Sequence, residues 1–196
     1  NSLSILGLRL PVATFYILIS GFAPWRGIMA RIIVVGGGAA GMTAASTARE
    51  HGADSITLIT EDEHVAYSPC AIPFVIEGKI KDFASIVMHT PEFYRKERGI
   101  EVLVRTTVDQ VDMDKRQVVT ADGRALEYDS LVLATCGTVF VPPVEGRELR
   151  GVFPVRWISD GQAILDALPS TQQVVVAGAG VIGLEMAVAL KERGKD

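Results

Sequence analysis

Two glycine clusters stand where a backbone could hold phosphate. Gly36-Gly37-Gly38-Ala39-Ala40-Gly41 follows the apolar run Ile32–Val35, and Gly178-Ala179-Gly180-Val181-Ile182-Gly183 follows Val174–Ala177. Both have the spacing G-x-G-x-x-G between an apolar run and a helix-forming stretch. In that pattern the first glycine permits a tight turn, the second lets the backbone approach a pyrophosphate, and the third lets helix pack close on strand. One such cluster is weak evidence. Two in order point to two dinucleotides on one protein, and the usual purpose of such a pair is electron transfer from a nicotinamide to a flavin. A third reactive group is the thiol of Cys70, in Ser68-Pro69-Cys70-Ala71. It precedes a predicted helix whose N-terminal amides would favour thiolate. The alternative for a free cysteine is a small buried hydrophobe.

The elements that must position these groups are legible in outline. Residues 31–60 read as a βαβ unit: strand Arg31–Val35, helix about Ala40–His51, Gly52 closing it, then strand Ile56–Thr60. Glu61 ends that strand, where an acidic residue takes ribose hydroxyls. Asp62 and Glu63 compete for the role and fit a solvated acidic loop better. Thr90 and Pro91 mark a helix start and Gly99 its end. Ile100–Val104, Val108–Met113, Gln117–Thr120 and Ala125–Tyr128 alternate as strands and predict a small antiparallel meander. Leu131–Ala134 is apolar throughout, as a strand buried on both faces should be. Val141-Pro142-Pro143-Val144 reads as a stiff connector. Ser159-Asp160-Gly161-Gln162 has the form of a capping box for helix Ala163–Leu168. Strand Val174–Ala177 and helix Val181–Arg193 then open a second nucleotide-binding unit.

Composition narrows the classes. The chain has 196 residues and a net charge of −4, with no basic run, which argues against a nucleic-acid partner. Its two cysteines, Cys70 and Cys136, cannot build a disulfide framework, so a reducing cytoplasm is the default setting. Three scattered histidines give no metal-ligand spacing, and no metal is expected. Residues 1–28 differ in character. The apolar stretch Leu10–Ser20 is short for a membrane span, and Arg9 is a thin positive flank for a signal peptide. The reading favoured is a non-native or disordered extension outside the compact fold, with the native start at Met29. The helix after the second cluster is followed only by Gly194-Lys195-Asp196, so the sequence is read as the opening part of a longer protein.

The order of these parts resembles the pyridine nucleotide-disulfide oxidoreductase family over roughly residues 29–196. The resemblance implies an α/β fold: a Rossmann-like FAD-binding domain over 29–150 with the small meander, then the start of a Rossmann-like NAD(P)H-binding domain over 151–196. It implies FAD on Gly36, Gly38, Ala39, Ala40, Gly41 and Glu61, and NADH or NADPH on Gly178, Gly180 and Gly183. Ala134 and Thr135 match the family's Ala-Thr-Gly segment near the FAD, and Glu185 matches a position in the nicotinamide-binding helix. Cys136 stands where that segment has Gly. Position 75 is Val, so the dithiol of the glutathione reductase type is absent. A lone Cys70 in this segment is similar to the single-cysteine branch of coenzyme A-disulfide reductases and NADH oxidases. That branch implies Cys70 as the catalytic thiol, a small disulfide, sulfur, oxygen or peroxide acceptor, and a homodimer. Two other readings stay open: a cysteine-independent electron-transfer reductase serving a rubredoxin, ferredoxin or nitrite reductase, and a non-enzymatic NADH-sensing flavoprotein.

Overall fold

The computed structural model describes the backbone of Ser4–Ile5, Leu8–Arg9 and Leu18–Ser20, and all of residues 30–196. Ten strands are present among them: β1 Ser4–Ile5, β2 Leu8–Arg9, β3 Leu18–Ser20, β4 Arg31–Val35, β5 Ser55–Ile59, β6 Ile100–Leu103, β7 Val108–Asp112, β8 Gln117–Thr120, β9 Ala125–Glu127 and β10 Ser130–Leu133. The helices are α1 Ala39–Glu50, α2 Ile72–Glu77, α3 Pro91–Arg98, α4 Ile158–Ala167 and α5 Val181–Glu192. The chain divides into two compact units. One takes the residues up to Tyr67 together with His89–Thr138; the other takes Ser68–Met88 and Val139–Asp196.

The first unit is built on a five-stranded sheet in the order β3-β10-β4-β5-β6. Strands β10, β4, β5 and β6 run parallel. Alternation along β4 divides the core. Ile32 and Val34 pack with Met42, Ala45, Leu58, Tyr94 and Ile100, under α1 and α3. Ile33 and Val35 pack with Val118, Tyr128, Leu131 and Leu133, under the meander β7-β8-β9. Both faces are covered, which is why Ile32–Val35 of β4 is apolar and buried at successive positions rather than every second one.

Two expectations change here. The strand at Ile100 belongs to the parallel sheet beside β5, not to the meander, which has three strands. Helix α3 crosses over before it, and a helical crossover delivers a strand parallel to its predecessor. The short strand β3 lies antiparallel to β10, with Ile19 opposite Val132. The rest of the expected extension lies outside the described residues, apart from the pair β1 and β2.

The second unit has a helical core. Ile72, Val75 and Ile76 of α2, Phe83 and Ile86, Ile158 and Ile164 of α4, and Met186, Ala189 and Leu190 of α5 are its buried side chains. Helix α4 starts five residues before the expected Ala163. Asp160, already inside the helix, accepts hydrogen bonds from the backbone N–H groups of Arg156 and Trp157 at 2.9 and 2.8 Å, so the cap is made from within. The expected strand Val174–Ala177 does not form. Val175 is 91% exposed, and no strand among the described residues pairs with the segment. Without a neighbour a parallel strand has no ladder to join.

Candidate functional site

In the first unit the glycine cluster forms a turn between β4 and α1. Gly36 has φ +118°, a conformation that L side chains rarely adopt, and a Cβ there would run into the Ala134 carbonyl. A Cβ on Gly41 would run into the Gly36 carbonyl. These two contacts, and not flexibility, require glycine at both positions. Gly38 is the N-cap of the twelve-residue α1, with φ −75° and ψ −177°. No side chain caps this end, and no acidic residue stands in its first turn. The first-turn amides have no intrahelical acceptor, and Gly38, Ala39 and Ala40 are exposed, so the end of α1 is open to an anion.

The Ala134–Thr135 segment is brought to the same place. Ala134 donates its backbone N–H to Val35 O at 2.8 Å, and its own carbonyl lies over Gly36. Cys136 follows with φ +58°, a left-handed conformation. Its Sγ lies 3.5 Å from the place a Cβ on Gly38 would occupy.

The acidic loop after β5 sorts itself by partners. Asp62 accepts from His64 N at 3.1 Å and from the Tyr67 hydroxyl at 2.8 Å. Glu63 pairs with Arg105 at 2.7 Å, and that hydrogen-bonded guanidinium holds its carboxyl below the usual range. Glu61 is exposed and has no hydrogen bond or ion pair among the described residues.

In the second unit Cys70 sits in a 3-10 turn, Pro69–Ala71, that runs into α2. It is exposed, unlike a buried small hydrophobe. Helix α2, behind the thiol, has six residues. The second glycine turn repeats the first in its dihedrals. Gly178 has φ +120°, and Gly180 caps α5 with φ −74° and ψ 178°. A Cβ on Gly183 would run into the Gly178 carbonyl, just as one on Gly41 would meet Gly36. The end of α5 is likewise without a side-chain cap or a first-turn acid. Glu185 is half-buried in the second turn of α5. The two turns differ in what stands over them: among the described residues, a Cβ on Gly178 or on Gly180 would meet nothing within 4 Å, whereas Ala134 and Cys136 stand over Gly36 and Gly38.

Three residues have structural roles that sequence reasoning does not assign. Cys136 carries no motif signal except that it replaces a glycine. Gly161 and Arg193 are isolated in sequence, and their roles depend on contacts across more than 70 residues. No group of His, Cys, Asp or Glu among the described residues is placed to hold a metal ion, and no helix there is long and apolar enough to cross a membrane.

Comparison with known proteins bears on the whole arrangement. Residues 30–196 match the family model described as pyridine nucleotide-disulphide oxidoreductase. The chain is 53% identical over 173 residues to a protein of Methanocaldococcus jannaschii named NADH oxidase, covering 85% of this chain and 39% of that protein. It is 36% identical over 168 residues to an NAD(P)H sulfur oxidoreductase (CoA-dependent) of Pyrococcus abyssi, covering 84% of this chain and 37% of that protein. Among solved structures, the NAD-dependent persulfide reductase of A. fulgidus aligns with a TM-score of 0.82 at 31% identity, over 84% of this chain and 32% of that one. The chain thus spans about two fifths of the length of the curated relatives it matches. On two glycine turns of one geometry, the Ala134 contact and this match along residues 30–196, the chain belongs to the pyridine nucleotide-disulphide oxidoreductase family.

Proposed function

We propose that the protein carrying this chain is an FAD- and NAD(P)H-dependent oxidoreductase that delivers electrons to a small sulfur or oxygen acceptor through Cys70. The observation that carries the reading is the pair of glycine turns with matching dihedrals, φ +118° at Gly36 and φ +120° at Gly178, each opening an uncapped helix. FAD and NAD(P)H are the cofactors of the family. FAD is assigned to residues 29–150 and NAD(P)H to the part that begins at about 151.

The residues fit these groups. The amides of Ala39, Ala40 and Gly41 suit the FAD pyrophosphate, and the bare Gly38, where a Cβ would meet only Cys136 Sγ at 3.5 Å, leaves the approach to them clear. Glu61, the acid without a partner among the described residues, suits the ribose hydroxyls. Gly178, Gly180 and Gly183 suit the nicotinamide dinucleotide, with Glu185 on the same helix. Held by these residues, FAD would supply acceptance of a hydride from NAD(P)H and onward two-electron transfer. At Cys70 the exposed Sγ is free to attack a small disulfide, holding one half as a mixed disulfide and releasing the other half as a thiolate. Two electrons and a proton then break that S–S bond, returning the Cys70 thiolate and releasing the small thiol. The protein is proposed to act on small molecules, as a homodimer, in the cytoplasm.

The test is Cys70→Ser in the FAD-loaded protein. Flavin bleaching by NADH should persist, and disulfide, persulfide and peroxide reduction should fall at least a hundredfold. Full activity in Cys70→Ser would replace this reading by the cysteine-independent electron-transfer reductase. Bleaching by NADH with no turnover on any acceptor in the unaltered protein would favour the NADH sensor.

A further inference from the structure

The turn that carries Cys70 lies early in the chain, between elements of the first unit, yet it belongs to the second compact unit with α4 and α5. The segment between Ser68 and Gly78 is held there at both ends. At the Cys70 end, Ile72 opens α2 two residues after the thiol. A Cβ on Gly161 of α4 would stand 3.0 Å from Ile72 Cγ2 and 2.8 Å from Phe83 Cε1. Both distances are below ordinary van der Waals contact, so α4 approaches the start of α2 only because position 161 is glycine. No positive φ is involved; the requirement is space alone.

At the other end, the last carbonyls of α2 have no donors within their own helix and must find them elsewhere. Gly78, in left-handed conformation with φ +93°, donates its N–H to Phe74 O and Val75 O at 3.1 Å each, and Ile80 N donates to Phe74 O at 3.1 Å. The Ile76 carbonyl is not reached by these. It accepts from Nε of Arg193, the residue that caps the C-terminus of α5, at 2.6 Å. The guanidinium also covers Gly78, where a Cβ would lie 3.1 Å from Nη2. A cation at a helix C-terminus is favourable in charge as well as in hydrogen bonding. Helix α2 is too short to hold its own position: six residues form fewer than two turns, and an isolated helix of that length is not stable. Its placement comes from what it is tied to.

We propose that Gly161 and Arg193 are positioning residues for Cys70. The helix that carries the second glycine turn, α5, and its neighbour α4 fix the Cys70 segment at its two ends. The residues that bind the nicotinamide and the thiol that takes the electrons are thereby parts of one body. This inference rests on the redox role proposed above for Cys70.

The test uses a probe that needs no knowledge of the natural acceptor. In a Cys136→Gly background, Cys70 of the FAD-loaded whole protein that carries this chain is converted by 5,5′-dithiobis(2-nitrobenzoic acid) to its mixed disulfide with thionitrobenzoate. NADH is then added. NADH plus the mixed disulfide gives NAD⁺, a proton, the Cys70 thiolate and coloured thionitrobenzoate, so two electrons break one S–S bond. Arg193→Gln should slow this release at least tenfold, and Gly161→Ala should do the same. Release from the same adduct by dithiothreitol, which reaches an exposed disulfide from solution, should stay within twofold, as should flavin content. Arg193→Lys, which keeps a cationic donor, should recover to within threefold of the parent. NADH-driven release unchanged in Arg193→Gln, a parallel fall in the dithiothreitol rate, or no recovery in Arg193→Lys would each overturn the positioning role. If the parent adduct releases nothing with NADH, the redox role of Cys70 itself fails, and this inference falls with it. Should Gly161→Ala not fold, the Arg193 pair decides alone.

Discussion

Three adjacent acids follow β5, and partners divide them. Asp62 is spent on its own loop, Glu63 on Arg105, and Glu61 on nothing among the described residues. A carboxylate hydrogen-bonded to a ligand contributes about 1.5–3 kcal/mol. Glu61→Ala should therefore weaken FAD binding by roughly ten- to a hundredfold, and Glu63→Ala by less than threefold, in fluorescence titrations of the apoprotein. The opposite order would move the ribose contact to Glu63. The sequence puts an acid at the right point of the βαβ unit and favours Glu61, but the partners that occupy its two neighbours, Tyr67 for Asp62 and Arg105 for Glu63, are ones no local pattern reveals. A second residue-scale expectation concerns acid. Hydrogen bonds from Arg31 hold the Asp129 carboxyl below its ordinary 3.8. A folded value below the unfolded one gives stabilisation that is complete above about pH 4 and is lost as the pH falls through the folded value. Arg31→Ala should thus lower the urea midpoint at neutral pH, and the gap to the parent protein should narrow towards pH 3. A gap that holds its width in acid would show that the pair does not link folding to protons.

At the scale of elements, punctuation decides what can be read. Helix α3 is legible to the residue because Thr90, Pro91 and Gly99 mark it, and the Thr90 hydroxyl does accept from Phe93 N at 3.2 Å. Thr90→Ala should cost about 1 kcal/mol in denaturant unfolding; no loss would mean the cap is solvated in both states. The start of helix α4 escapes sequence reasoning because its capping acid is the third helical residue, not the residue before the helix. Strand β6 is drawn into the wrong sheet because alternation reports burial on a face without saying which neighbour supplies the ladder. The glycine turns are readable from spacing alone, and the structure adds what each glycine avoids. Gly36→Ala would push a methyl into the Ala134 carbonyl from a backbone of φ +118°. It should abolish FAD uptake while the meander side of the sheet stays folded; normal flavin content in the Gly36→Ala variant would remove the close approach from the account.

Over the whole molecule, the two fingerprints and their family are written in the sequence, whereas the grouping of the chain into compact units is not. The Cys70 segment follows the first βαβ unit in sequence and joins α4 and α5 in space, through contacts such as Gly161 with Ile72 that have no periodicity to betray them. The second fingerprint shows the other limit. Its turn and helix form on local information, but among the described residues Val174–Ala177 has no ladder and Gly178 no carbonyl above it. A polypeptide of residues 1–196 alone should therefore bind NADH poorly and reduce acceptors at well below about one turnover per second, a rate at the low end for enzymes. Turnover at or above that rate by the isolated polypeptide would mean that the second turn needs no strand beside it.

The left-handed backbone at Cys136 has an evolutionary consequence. A residue with a Cβ at φ +58° gives up about 1 kcal/mol that glycine would keep. Cysteine and glycine codons differ in a single base, so random mutagenesis reaches the relaxed form in one step. A library of this gene selected only for heat resistance should return Cys136→Gly repeatedly and early, from independent lineages.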